Sequence, residues 1–386
     1  MISHAVDGPW PAAHQRYSLS FAKRFSSQLL GMACAGVRIV NKISRKQIAP
    51  DRTVILMEPF GMGDVIALMP LLEVLHRAGW KVAILAKGTW KELVPNEHFE
   101  VWMPVDFPWA SYIDSKKYRS LRGVLDLLAQ IRMRLGCFSG AIGIDPRGDV
   151  RSIFFLRLLG CRDVVSMDHY TGSTLGVSRV AARIAIGKAG DKRWQEILGV
   201  CPWLGIDATQ TGPHLDFPQF ATAETIAVLP VAPWAGKLWP AESWQELLRW
   251  LNSENRHVIA LCGPGQSAEA CHFVGTQIEI FECTTVGEWV ERLQKVRLLV
   301  TVDTGPMHLA SAMGVPVVAL FGVTPLPLWA PSGRKSLIVH PQDDADFKLC
   351  QQIEANVAHG DFWINRVRPV EVIEACKRAL TEPSAG

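Results

Sequence analysis

Between Thr53 and Gly322 the chain keeps returning to one pattern: a short apolar run, a polar tip, then a stretch with helical spacing. The run "TVILMEP" leads into the turn "FGMGD", then into Val65, Leu68, Leu72 and Leu75 at helical spacing, then into a second apolar run, "KVAILA". A strand, a crossover of that length and another strand form a βαβ unit, which pairs its strands in parallel. "GAIGIDPRGDVRSIFFLRLLG" repeats the theme, with its tip at Asp145. Beyond residue 222 the alternation is cleaner. "TIAVLPVA", "HVIALCG", "IEIFEC", "LLVTVD" and "VPVVALFG" read as strands, and the helical stretches "AESWQELLRWLN", "QSAEACHFVG", "VGEWVERLQKV" and "MHLASAMG" separate them. Strands alternating with short helices predict open, doubly wound parallel sheets of the α/β class.

A length of 386 residues suits two domains, since domains run to roughly 100–200 residues each. The loose segment "DATQTGPHLDFPQFAT" reads as the linker, over 208–222, between domains at 52–207 and 223–386. Hydrophobic content of 48% with 20% charged residues is that of a globular chain. A net charge of +3 is too small to point to nucleic acid, and no helix-turn-helix, zinc-finger or RNP pattern is present. None of the nine cysteines forms a C-x-x-C pair, so neither a disulfide framework nor a zinc site is expected, and a reducing cytoplasm is. H-E-x-x-H, G-x-S-x-G and Walker motifs are all missing.

Residues 1–51 read as a basic extension: the first fifty carry seven Lys or Arg, all between residues 16 and 46, against a single acid, Asp7. The uncharged "FSSQLLGMACAGV" is shorter than the ~20 residues a membrane crossing needs. Two readings stand side by side: a basic amphipathic helix resting on an anionic bilayer surface, or an extension packed on the first domain.

In open α/β sheets ligands bind beyond the carboxyl ends of strands, and two facing sheets would set both rows of tips around one cleft. Three tips stand out. At "FGMGDV", Gly61 and Gly63 precede Asp64, which reads either as a helix cap or as a general base. Ile66 stands where a dinucleotide fingerprint needs its third glycine, which weakens a nicotinamide reading. At "VAPWAGKLWPAESW", Lys237 precedes a helix that begins near Ala241, where it either meets a diphosphate or is a solvated surface lysine. At "VDTGPMHL", Asp303 ends a strand and Thr304-Gly305 open a helix whose free amides make an anion site. An acid beside an anion site suits sugar hydroxyls, and His308 reads either as a packing or supporting residue or as a catalytic one.

Together these segments resemble glycosyltransferase family 9, the ADP-heptose:lipopolysaccharide heptosyltransferases, over about Thr53 to Pro331. "GMGDVIALMPLLEVL" is similar to the family's first G-D segment and "DPRGDVRSIFFLRLLG" to its D-x-x-G-x-x-(R/K)-S segment. "GKLWPAESWQELL" is similar to K-x-W-P-x-x-x-(F/W)-x-x-L, and "VDTGPMHLASAMGVPVVALFGVT" to the family's best-marked stretch. The resemblance implies a GT-B fold: an acceptor-binding first domain, a donor-binding second, and inverting transfer with no metal or cofactor. The implied donor is ADP-heptose and the implied acceptor a lipopolysaccharide core or related glycan, at the cytoplasmic face of the membrane. Carried over by position, Asp64 is the general base and Lys237 neutralises the departing diphosphate. Asp303, Thr304, Gly305, Pro306, Met307, His308, Gly263 and Gln266 bind donor, and Gly61, Gly63, Arg147 and Arg151 bind acceptor. Arg147 and Arg151 read equally as intradomain ion pairs. Two departures bear on the donor: Gln266 replaces an acid that takes ribose hydroxyls, and Pro233-Trp234 replace small or hydroxyl residues. Another GT-B enzyme with a different donor, or a non-catalytic nucleotide-sugar-binding homologue, is the alternative.

Overall fold

The computed structural model describes residues 33, 52–107, 121–138, 140–167, 183–185, 191–208, 212–215, 224–322, 324, 326, 328–341 and 362–381. Apart from residue 33, the basic segment 16–46 lies outside them. Among the described residues no helix is long and apolar enough to cross a membrane. The chain divides into two compact units, the first ending at Thr211 and the second running from Gly212 to Gly386.

The first unit holds β1 (Thr53–Glu58), α1 (Met62–Arg77), β2 (Lys81–Ala86), β3 (Val101–Pro104), α2 (Leu121–Arg134), β4 (Ile142–Asp145), α3 (Val150–Leu158), β5 (Asp163–Met167), β6 (Arg183–Ala185) and α4 (Arg193–Leu198). Its six strands are all parallel, in the order β3-β2-β1-β4-β5-β6. Every residue of β1 is buried, as expected of a central parallel strand with helices on both faces. On one side of the sheet Ile55, Met57, Leu85, Ile131 and Ile153 share a core with Phe107 and Phe155, whose rings meet edge to face at 4.7 Å.

The second unit holds β7 (Thr225–Leu229), α5 (Ala241–Ser253), β8 (Val258–Cys262), α6 (Ser267–Val274), β9 (Glu279–Glu282), α7 (Val286–Gln294), β10 (Val296–Val302), α8 (Gly305–Ala312), β11 (Val317–Leu320), β12 (Ser336–Val339) and α9 (Pro369–Thr381). Its strands are again all parallel, in the order β12-β11-β10-β7-β8-β9. Each unit is thus a doubly wound, Rossmann-like sheet, as expected from the alternation.

Strand order decides where a site can lie. From β1 the chain winds outward through β2 and β3, then returns to lay β4 against the other side of β1. From β7 it winds out through β8 and β9, then returns to lay β10 against β7. At such a reversal the neighbouring loops leave in opposite directions and open a crevice. The crevices therefore sit above β1/β4 and above β7/β10.

Four strands, β3, β5, β6 and β12, lie outside the apolar runs read as strands. Each is only three to five residues long, and although β3 (Val101–Pro104) and β12 (Ser336–Val339) are largely apolar, runs that brief do not stand out as strands. The helix expected from Val65 begins at Met62. Gly63 therefore lies in the first helical turn rather than in the connecting turn, which Gly61 occupies alone as N-cap. This corrects the expectation that both glycines shape the turn.

Candidate functional site

At the β1/β4 crevice, α1 follows β1 after three residues, the last of which, Gly61, caps it in extended conformation. Asp64, in the third helical position, turns back so that its Oδ2 accepts the Gly61 N–H at 3.1 Å. This is half of a capping box, in which the helix satisfies one of its own free donors. The other oxygen, Oδ1, accepts from Arg147 Nη1 at 2.7 Å. Arg147 comes from the β4 tip, and its guanidinium lies 3.9 Å from the centre of the Phe60 ring, a stacked cation–π contact. Asp64 thus caps α1, one of the two readings the sequence offered, and also pairs with a cation across the crevice.

Arg151 behaves differently. Its Nε and Nη2 donate to Asp149, the cap of α3, at 2.9 and 2.5 Å, and its backbone N–H donates to the same carboxylate at 2.9 Å. Of the two arginines assigned to an acceptor, the fold brings Arg147 to Asp64 and holds Arg151 on its own helix cap.

Beneath Asp64 lie ionisable groups that the sequence reading passed over. Glu58 ends β1 with no solvent exposure, one oxygen accepting the Phe60 N–H at 3.3 Å. Burial, then the Asp64 charge, push its carboxyl up to about 8. Asp145 ends β4, equally buried, and accepts from Ser166 Oγ at 2.7 Å and from the Arg147 N–H at 3.3 Å. Burial, then the Asp149 charge, raise it to about 7. Arg193 opens α4, donates to the Pro146 carbonyl at 2.5 Å and lies 3.5 Å from Glu196. Burial lowers its pKa, opposed by Glu196, Asp64 and Glu58. The signal for Glu58 was present in "TVILMEP": an acid closing an otherwise apolar central strand.

At the β7/β10 crevice, Lys237 ends a tight turn after β7 and its Nζ lies 2.6 Å from Asp303 Oδ2 at the β10 tip. Packing fixes the turn. Trp239, two residues on, is fully buried, meets Trp244 edge to face at 5.1 Å and donates its indole N–H to the Val367 carbonyl at 2.8 Å. A β-carbon on Gly236 would lie 2.7 Å from the Trp234 ring, and one on Gly322, at the end of β11, 2.9 Å from Ile364. Only glycine lets these loops approach so closely. Lys237 is therefore no freely solvated lysine: its side chain is 27% exposed, set against a carboxylate at 6%.

Thr304 caps α8 in extended conformation, with Pro306 in the first turn, and its hydroxyl makes no cap hydrogen bond. It lies 3.4 Å from the Thr301 hydroxyl. The amides of Gly305 and Met307 open the helix beside the lysine, while Pro306 carries no N–H. Met307 is buried in the core. His308 Nε2 stands 4.0 Å from Asp303 Oδ1, beyond hydrogen-bond distance, with its ring against Trp329. At the neighbouring tip of β8, Gln266 Oε1 accepts the Gly263 N–H at 3.0 Å. Here the amide closes its own loop.

The sequence profile of glycosyltransferase family 9 (heptosyltransferase) matches residues 199–355. Lipopolysaccharide heptosyltransferase 1 of Pseudomonas aeruginosa is 25% identical over 191 residues, 47% of this chain and 54% of the relative. The chain therefore spans about half the length of that curated relative. Among solved structures, a family 9 glycosyl transferase from Veillonella parvula aligns with a TM-score of 0.68 at 17% identity, covering 87% of this chain and all of the other. The E. coli heptosyltransferase WaaC with ADP aligns with a TM-score of 0.65 at 18% identity, covering 85% and 99%. At these identities the structural likeness speaks for the fold, two Rossmann-like domains of the GT-B class.

Proposed function

We propose that this chain is a member of glycosyltransferase family 9 and that it moves a heptose from ADP-heptose to a hydroxyl of a lipopolysaccharide-core or related acceptor, with inversion and without a metal. The observation that carries this reading is the Lys237–Asp303 contact of 2.6 Å at the β7/β10 crevice, beside the open end of α8. A buried acid at a strand tip suits sugar hydroxyls, and a lysine beside free helix amides suits a diphosphate. Here one crevice supplies both within one side chain's reach. The printed name of the Pseudomonas relative and the ADP in the E. coli structure favour this donor.

In the proposed reaction the acceptor oxygen bonds to the anomeric carbon as its proton passes to Asp64 Oδ1 or Oδ2. The bond from that carbon to the diphosphate oxygen breaks on the opposite face, which inverts the centre. Negative charge grows on the leaving diphosphate, where the Lys237 ammonium and the α8 amides meet it. Asp303 Oδ1 is left for a hydroxyl of the donor sugar, since Oδ2 holds Lys237. Arg147 orients Asp64 and presents a cation to an acidic acceptor. We assign the reaction to the cytoplasmic side of the membrane, where nucleotide-sugars are made.

The test is a thermal-shift and calorimetry comparison of ADP, UDP and GDP and their sugars. A ligand at 100 times its Kd stabilises the fold by about 2.7 kcal/mol. ADP and ADP-heptose should raise the melting temperature most. Equal shifts from all three nucleotides, or a preference for UDP, would overturn the choice of donor.

A further inference from the structure

Glu58 has no place in the reaction just described, yet it is poorly accommodated where it lies. Its residue is wholly buried, and its Oε2 finds no hydrogen-bond partner among the described residues. An ionised carboxylate in that state would be cut off from water with one oxygen unsatisfied, which is costly. A neutral carboxyl avoids the cost, and its pKa of about 8 keeps the proton on at neutral pH.

The groups facing Glu58 come from every element around the crevice: Asp64 from α1, Arg147 and Asp145 from the β4 tip, and Arg193 from α4, which packs on α1. Arg193 has Glu196 beside it at 3.5 Å, and Arg147 has Asp64 at 2.7 Å. With Glu58 neutral, Arg147 holds Asp64 and Arg193 lies beside Glu196. With Glu58 ionised, a third carboxylate competes for Arg147 and repels Asp64.

Resting on the family 9 reading of this crevice, we propose that Glu58 is a positioning residue whose neutral carboxyl keeps Asp64 and Arg147 paired with each other. Ionising it loosens that pair, so Asp64 loses its orientation on the alkaline side.

The experiment tracks the Asp64 carboxyl directly, by carbon-13 NMR of aspartate-labelled protein from pH 6 to 10, with the signal identified by its loss in Asp64→Asn. The expected result is an inflection near pH 8 that disappears in Glu58→Gln. No inflection, or one that persists in Glu58→Gln, overturns the proposal. Should Glu58→Gln fail to fold, carbon-13 labelling of glutamate in the unchanged protein reads the Glu58 carboxyl itself, and titration in the ordinary range near 4.5 overturns the proposal equally. A second arm takes the ratio of transfer rates at pH 9 and pH 6.5, expected to rise at least fivefold in Glu58→Gln; an unchanged ratio in an active enzyme also overturns it. If the Asp64 signal inflects but no donor supports transfer, the functional reading fails while the pairing stands.

Discussion

Lys237 and Asp303 meet at 2.6 Å across the β7/β10 reversal, the same topological position at which Arg147 and Asp64 meet at 2.7 Å across β1/β4. In each unit the first strand's tip supplies one partner and the returning strand's tip supplies the other. The sign is exchanged: the acid comes after β1 in the first unit, whereas the base comes after β7 in the second. That exchange suits a transfer that needs a proton acceptor for the incoming group and a cation for the leaving one.

Replacing Asp64 with Asn should lower transfer by about 10²–10⁴-fold, the range in which positioned proton acceptors contribute. Asn keeps an oxygen for the Gly61 N–H, so the fold should survive. Calorimetry should show ADP binding within a few-fold of the unchanged protein. Turnover within threefold of normal would remove Asp64 from the reaction.

Lys237→Met should abolish measurable donor binding and leave Asp303 facing an apolar chain. Removing one member of a buried pair costs about 3–5 kcal/mol, but the lysine is 27% exposed, so about 1–3 kcal/mol is expected. Urea denaturation reads the cost. A variant with normal ADP affinity would place the diphosphate elsewhere.

Arg147→Ala and Arg151→Ala separate two residues that look alike in sequence. Arg151 touches its own helix cap, so its loss should cost about 0.5–1 kcal/mol and leave acceptor kinetics nearly unchanged. Arg147→Ala strips Asp64 of its cation and should reduce kcat/KM for the acceptor at least tenfold. Equal kinetic effects of the two would contradict the contacts seen here.

Trp239→Ala should destabilise the second unit by about 3–5 kcal/mol, as for other fully buried tryptophans. Because the same ring anchors the turn that presents Lys237, donor affinity should fall with it. A stable variant with unchanged affinity would show that the turn holds without this anchor.

Asp145 gives stability a pH dependence of definite sign. Its folded pKa of about 7 lies above its ordinary 3.8, so the folded state keeps a proton that the unfolded chain has already released. The associated stability is fully present below about pH 3.8 and is lost as pH rises through 7. The urea midpoint should therefore fall between pH 5 and 8, and Asp145→Asn should flatten, though not abolish, that decline, because Glu58 acts in the same direction. A midpoint whose pH dependence is untouched in Asp145→Asn would show that Asp145 is not the group responsible.

Much of this protein is legible from neighbours along the chain. Apolar runs such as "TVILM" and "LLVTV" mark central strands because parallel strands are buried on both faces. Helical spacing marks the crossovers between them. The polar residues at the junctions, Asp64, Lys237 and Asp303, stand out because nothing in a buried strand or a packed helix face requires them. Edge strands such as β3 and β12 are only four residues long, too brief for that mark to stand out.

Which junctions meet was left to the fold. Arg147 lies 83 residues from Asp64 and Lys237 lies 66 from Asp303; each pair forms only because the chain reverses its winding and lays a later strand against the first. No local propensity encodes that return, since strand order is selected by the packing of whole layers. The same packing sent Arg151 to its own cap, turned Gln266 onto Gly263, and buried Glu58 among charges drawn from three other segments. Residue type set what each side chain can do; burial and partners, which exist only once the sheets have closed around them, set what it does.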